Sequence, residues 1–325
     1  MRIIGLVNKD SACSFHRILM PLLLMPDVDT YITNNITEQD FEKGCDAIYY
    51  NRVISDEILK LRDKYHFKVV VDIDDYWKLD RHHIAYEHYE ENNYEALQIR
   101  HLQDADVVTT THERLAEKIY PYNKNVIICP NAIPKHEYFP VEKTQSERVR
   151  IFWQGSITHE KDIELLKNPL RRLDKNKFLM VMAGYTEHEV WNKMASTFTR
   201  GLSLQGCILK GLSPFEYYTN YRYADICLAP LVETEFNSYK TNLKVLEAAH
   251  SGVPVIASKV DPYLDMPILY AGKQTDWYKH ISMLASDEAA RREQGEQLQA
   301  FCEVNYNFEQ INIKRKSQFR VMAAL

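Results

Sequence analysis

ADICLAPLVETEFNSYKTNLKVLEAAHSGVPVIAS, residues 224–258, reads as strand, loop, helix, tight turn and strand. The two apolar runs, 225–231 (DICLAPL) and 254–258 (PVIAS), are short and almost uninterrupted, the pattern of strands covered on both faces. Between them NLKVLEAAH (242–250) repeats apolar residues at helical spacing, and Gly252 followed by Pro254 closes the helix and opens the next strand. Parallel strands need a crossover of this kind, so the stretch is one unit of a doubly wound α/β sheet.

The same alternation runs outward in both directions. Residues 2–8 (RIIGLVN), 28–33, 46–52 (DAIYYNR), 68–72 (KVVVD), 106–111 (DVVTTT) and 125–130 (NVIICP) read as strands, with helical patterns at 55–65 and 112–120. Residues 134–148 (PKHEYFPVEKTQSER) are polar, hold two prolines and show neither period, which marks a linker. Strand patterns resume at 150–154 (RIFWQ), 177–184 (KFLMVMAG), 204–209 and 268–271. The predicted architecture is therefore two Rossmann-like domains, 1–147 and 148–303, facing a central cleft, with a helix at 304–325 packing back on the first.

Composition narrows the function classes. The net charge is −5, divided as 18 Lys+Arg against 25 Asp+Glu in residues 1–149 and 22 against 20 in residues 150–325. An acidic first half argues against a duplex-binding domain, and a slightly basic second half suits a small anionic ligand. The 21 tyrosines suit surfaces that stack on or hydrogen-bond ligands. The longest apolar run, 18–25, is broken by Pro21 and is too short to span a bilayer; neither a leader nor a transmembrane segment is expected. Six scattered cysteines without CxxC spacing point to reduced thiols and a cytoplasmic protein.

The chemistry concentrates in the opening stretch. With Asn237 or Ser238 as cap, the backbone amides at 239–243, Asn242 and Leu243 among them, would offer a pyrophosphate a helix N-terminus. Lys240, Lys244 and Glu247 follow at spacings of four and three and would share one helix face: two ammoniums for a diphosphate, a carboxylate for a ribose diol. The plain alternative is a solvated Lys/Glu face.

Residues 224–258 resemble the donor-binding region of retaining glycosyltransferases of the GT-B fold, family four, whose helix ends in Glu-Ala-x-x-x-Gly-x-Pro-Val; Glu247, Ala248, Gly252, Pro254 and Val255 match it. The resemblance implies that Glu247 contacts the ribose hydroxyls. Tyr239 stands where the family has a sugar-holding glutamate, and Glu235 or Asn237 is a candidate substitute. Residues 153–166 (WQGSITHEKDIELL) resemble the family's Gly-loop and following helix: Gly155 and Lys161 align, Ser156 replaces an arginine, and His159 matches a G-S-x-x-H subgroup. The resemblance implies that Lys161 neutralises the donor pyrophosphate and that Gly155, Ser156 and His159 line the donor.

In the first domain VVVDIDDYW (69–77) places three acids at a strand's carboxyl end. A metal clamp is one reading; a metal-free role on the acceptor side, with Asp74 and Asp75, is the one adopted. By the resemblance His16 and Arg17, in the loop after the first strand, and His112, opening a helix, are acceptor-side candidates, although an exposed His–Arg pair is often merely solvated. Asn131 is read as shaping the hinge, and residues 76–94 as a solvated loop or a lid.

These readings converge on a retaining, metal-independent glycosyltransferase that needs no cofactor beyond a UDP- or GDP-sugar. Lys161, Lys240 and Lys244 would stabilise the leaving diphosphate. The acceptor would be a glycan or small molecule, with a modified DNA base as an alternative. A nucleotide-sugar 2-epimerase and a non-catalytic sugar-nucleotide-binding protein are the rival functions.

Overall fold

The computed structural model describes residues 1–325 other than 10, 136, 139, 200–205 and 325. Contacts divide the chain into two compact units. The first is Met1–Ala132, Tyr239–Thr241 and Tyr306–Leu325; the second is Ile133–Ser238 and Asn242–Asn305.

The first unit holds strands β1 (Arg2–Leu6), β2 (Asp29–Thr33), β3 (Ala47–Asn51), β4 (Lys68–Ile73), β5 (Val107–Thr110) and β6 (Val126–Ile128). They form one parallel sheet in the order β2-β1-β3-β4-β5-β6, with registers such as Ile3↔Ala47 and Val70↔Val107. The apolar runs are buried on both faces because helices cover both sides. The helix Phe308–Ala324 supplies Phe319 and Met322 to the core around Ile3, Ile18, Leu22 and Tyr49. Asn312 of this helix donates to the carbonyls of Pro21 and Leu24 at 2.9 and 3.1 Å.

The second unit repeats the plan with β7 (Val149–Gln154), β8 (Phe178–Tyr185), β9 (Gly206–Lys210), β10 (Ile226–Ala229), β11 (Val255–Ser258) and β12 (Leu269–Ala271). The order is β12-β11-β10-β7-β8-β9, again all parallel. Each strand expected from the sequence forms; residues 204 and 205 of the run at 204–209 lie outside the described residues.

Three details differ from the expectation. The pattern at 55–65 becomes two short helices, Asp56–Lys60 and Arg62–Tyr65. Residues 134–148, read as a linker, group with the second unit, where Arg150 donates to Thr144 at 2.5 and 2.8 Å and Lys143 to the carbonyl of Ala224 at 3.1 Å. In the stretch 76–94, Tyr76 and Trp77 are buried rather than solvated. Among the described residues no helix is long and apolar enough to cross a membrane.

Both orders contain a reversal, between β1 and β3 in one sheet and between β7 and β10 in the other. Ligands of doubly wound sheets bind outside the carboxyl ends of the strands at such points.

Candidate functional site

At the reversal in the second unit, β7 ends in Trp153 and Gln154 and turns at Gly155. The turn is set by close backbone approach. Gly184 on β8 has φ +102°, and a Cβ there would lie 2.3 Å from the Gly155 carbonyl oxygen. Beyond the turn, Ser156 is exposed and its hydroxyl pairs with Thr158 at 2.8 Å. His159 Nδ1 meets Asp162 Oδ2 at 2.7 Å, and Asp162 Oδ1 accepts from the Val232 amide at 2.7 Å. The buried Asp162 thus ties the Gly155 turn to the loop after β10. The sequence reading passed over it, although an acid three residues after a histidine on a helix start was the available signal. Lys161 is exposed on the short helix Glu160–Glu164.

The second element is the helix Leu243–His250, where the structure corrects the sequence reading. Glu235–Ser238 is a separate helical turn, and the helix proper starts at Leu243 with Asn242 in the capping position. Asn242 uses its side-chain amide on Met266 Sδ at 3.6 Å rather than on the helix amides. Lys240 therefore precedes the helix and does not share a helical face with Lys244; the four-residue spacing counts only where a helix is continuous. The break has a cause within the first unit, to which residues 239–241 belong. His112 Nε2 reaches the Tyr239 carbonyl at 3.0 Å, Asn131 donates to Thr241 Oγ1 at 3.0 Å, and the Tyr239 ring lies 4.7 Å from that of Tyr76.

Lys244 and Glu247 do share a face. The Lys244 ammonium donates to the Gln154 carbonyl at 2.6 Å and sits 5.0 Å from the Trp153 ring centre. Glu247 is buried, and its two oxygens accept hydroxyls from Tyr217 and, at 3.0 Å, Tyr221. Burial raises the Glu247 pKa, while the two tyrosines and Lys244 pull it back. Neither tyrosine figured in the sequence reading, although their four-residue spacing in EYYTNYRYAD (216–225) was visible.

The acids of the first unit are explained by charge. Asp72 is fully buried and takes Arg17 Nε and Nη2 at 3.0 and 2.9 Å, together with Thr109 Oγ1 at 2.6 Å. Arg17 also donates to the Cys129 carbonyl at 2.7 Å and to Asn131 Oδ1 at 3.0 Å. Burial works against the Arg17 charge, and Asp72 outweighs it, so the pKa is raised. Arg17 is 1% exposed, which corrects the expectation of an acceptor- or solvent-facing pair: its donors are spent inside the unit. His16 is buried beside it, its pKa pushed down to about 3 by burial and then by Arg17.

Asp74 and Asp75 bind one guanidinium, Arg52 Nε at 3.0 Å and Nη2 at 2.8 Å respectively. Burial opposes ionisation of Asp74, but Arg52, Cys13 and Asn51 hold its pKa well below the usual range. Arg52 sits at φ +65°, a strained conformation for a residue other than glycine, held by these bonds. Cys13, Asp74 and Asp75 are close enough to share a metal ion, although Arg52 already supplies a cation to both carboxylates. His112 caps the helix Glu113–Ile119, with Nδ1 accepting the Leu115 amide at 3.2 Å. That leaves Nε2–H as donor to Tyr239, the neutral form that burial also favours.

A pH effect follows from His16. Unfolded, the ring protonates below about 6.5; folded, it stays neutral to about 3. The unfolded state then binds the extra proton, so stability falls as pH drops through that window, by up to about 1.4 kcal/mol per unit. His16→Asn should flatten the fall in Tm between pH 6.5 and 4. Equal slopes in variant and wild type would exclude His16 as the source.

Residues 148–287 match the family model described as glycosyl transferases group 1. No curated protein matches the chain in sequence. Among solved structures, sucrose-phosphate synthase from Thermosynechococcus elongatus is similar at TM-score 0.69 and 13% identity, covering 100% of both chains. HepE from Anabaena, in complex with UDP and glucose, is similar at 0.70 and 12%, over 99% of this chain and 100% of that one. An α-glucosyltransferase in complex with UDP and a 13-mer DNA containing an HMU base reaches 0.67 and 14%, over 98% and 99%.

Proposed function

We propose that this chain, which has the GT-B fold and matches the model of glycosyl transferases group 1 over residues 148–287, moves a sugar from a nucleotide-sugar donor to an acceptor hydroxyl. The observation that carries the reading is the arrangement at the β7–β10 reversal. The Gly155 turn, the Lys244 ammonium and the buried Glu247 carboxylate converge there within one unit. Lys244 suits the diphosphate and Glu247 the ribose diol; Gly155, Ser156, His159, Asn242 and Leu243 complete the proposed donor side, with Lys161 and Lys240 as further cations. UDP is the proposed nucleotide, supported by its presence in the HepE and α-glucosyltransferase structures.

The reaction is proposed to be retaining, by resemblance to family four, and metal-independent, because lysine charge is available to stabilise the leaving diphosphate. The cytoplasm is the proposed compartment, since all six cysteines are unpaired thiols. On the acceptor side Asp74, Asp75 and His112 remain the proposed residues. Arg17 and the buried His16 would act only through the packing that surrounds them. A glycan or small molecule is favoured as acceptor. A modified DNA base is the second reading, supported by the DNA held by the similar α-glucosyltransferase and opposed by the acidic balance of residues 1–149.

Thermal shifts across UDP- and GDP-sugars test the donor, because a bound donor raises Tm by mass action. Product analysis with donor alone separates transfer from epimerisation. Titration of UDP with and without chelator tests the metal; an absolute requirement for a divalent ion would move Cys13, Asp74 and Asp75 to the centre of the chemistry. Glu247→Ala should weaken UDP by about 1.5–3 kcal/mol, the scale of hydrogen bonds to a charged group. Unchanged affinity in the folded variant would remove Glu247 from the site.

A further inference from the structure

Glu247 is not positioned by its own helix alone. The turn Tyr217–Tyr223, which precedes β10, presents two hydroxyls to it. Tyr217, half-buried, donates to Oε1, and Tyr221, fully buried, donates to Oε2 at 3.0 Å. The turn is fixed to the end of β7 by two further contacts. Asn220 donates to Gln154 Oε1 at 2.9 Å, and the Tyr221 ring packs 4.9 Å from Phe152. The Tyr221 hydroxyl also lies 3.3 Å from the Lys244 carbonyl, so one side chain spans the strand end and the helix that carries Glu247.

A carboxyl buried this deeply tends to protonate, because burial disfavours the charged form. The titratable and charged groups facing it are Tyr217 and Tyr221 from the turn, Lys244 from its own helix and Cys227 from β10. Phenol hydroxyls are good donors and, buried here, resist ionisation themselves: Tyr221 is raised well above its usual pKa by burial and then by Glu247. Two such donors favour the carboxylate over the acid. A carboxylate has about four acceptor sites, so it takes ribose hydroxyls alongside the tyrosines.

We propose that Tyr217 and Tyr221 are positioning residues that hold Glu247 ionised and aimed, so that it selects a ribose carrying both hydroxyls. The proposal rests on the reading of Glu247 as the ribose contact. Neither tyrosine needs to touch the nucleotide. Their effect passes through the charge state of Glu247, and that gives a signature which lost packing lacks.

The experiment measures UDP and 2′-deoxy-UDP affinity from pH 5.5 to 8 for wild type, Tyr217→Phe, Tyr221→Phe and Glu247→Gln. Glu247→Gln supplies the baseline for titration of the nucleotide's own phosphate, and Tm shows that each variant is folded. At pH 8 the Phe variants should bind UDP within a few-fold of wild type. At pH 5.5 they should fall further than wild type, by up to about tenfold for each unit of upward pKa shift. Their preference for UDP over 2′-deoxy-UDP should shrink in the same window. Should Glu247→Gln bind UDP as wild type does at pH 8, the ribose assignment fails and the tyrosine role with it. Should Glu247→Gln weaken binding while the Phe variants follow the wild-type pH profile, or lose affinity equally at every pH, the ribose contact stands and the tyrosine role is overturned. Tyr217→Phe carries the test if Tyr221→Phe does not fold, since Tyr217 is the less buried of the two.

Discussion

Asp72→Ala is expected to destabilise the first unit by about 3–5 kcal/mol, the cost of leaving a buried charge without its partner. Arg17 would keep its bonds to the Cys129 carbonyl and Asn131 but lose the carboxylate that neutralises it, at a position 1% exposed. Thr109 and Tyr49, which also bond Asp72, would lose an acceptor. For a unit of this size the loss corresponds to a fall in Tm on the order of 10 °C. The paired change Asp72→Leu with Arg17→Met should lose less than either single change, because it removes both charges together. Thermal unfolding of the three variants measures it. A single variant within about 0.5 kcal/mol of wild type, the scale of ordinary surface changes, would show that the pair holds nothing.

Lys244→Ala is expected to lower turnover roughly a hundredfold at saturating donor while weakening donor binding much less, the scale of removing one well-placed charge-stabilising group. Charge on the leaving diphosphate grows as the glycosidic bond breaks, so an ammonium beside it favours the transition state over the bound donor. The tether to the Gln154 carbonyl and the Trp153 ring holds that ammonium at the strand end. UDP release from the donor sugar, with water as acceptor, gives a readout that needs no knowledge of the natural acceptor. Lys244→Arg should retain part of the rate. Wild-type turnover in Lys244→Ala would reduce the lysine to a packing residue.

The strands were legible because a buried parallel strand is a local pattern: PVIAS and KVVVD announce themselves without knowledge of their neighbours. Glu247 was singled out for the same reason, inside a helix that does form. The Lys240–Lys244 pair was misread because helical spacing says nothing about where a helix begins. Lys240 lies instead in the stretch 239–241, which is bonded by residues more than a hundred positions away, His112 and Asn131. Arg17 and Asp72 are 55 residues apart and look like ligand-facing charges until the sheet brings them together. Tyr217 and Tyr221 escaped because a phenol acquires its role from the acid it faces. Long-range partnership, rather than residue type, was the missing information.

The route of the chain also bears on how the protein is made. The first unit begins at Met1, yet its core includes Phe319 and Met322, which the ribosome adds only after the whole second unit. At 5–20 residues per second the stretch from the end of β6 at Ile128 to Phe319 takes roughly 10–40 s, far longer than hydrophobic collapse takes. Through that interval the nascent β1–β6 sheet has an apolar face, around Ile3, Ile18 and Tyr49, with no covering helix, while the second unit is being added and reaches its full sequence at Asn305. The usual vectorial order, amino-terminal domain first, is thereby inverted: the second unit is the one able to finish folding first. Chaperone capture during synthesis should accordingly concentrate on the half that emerged earlier.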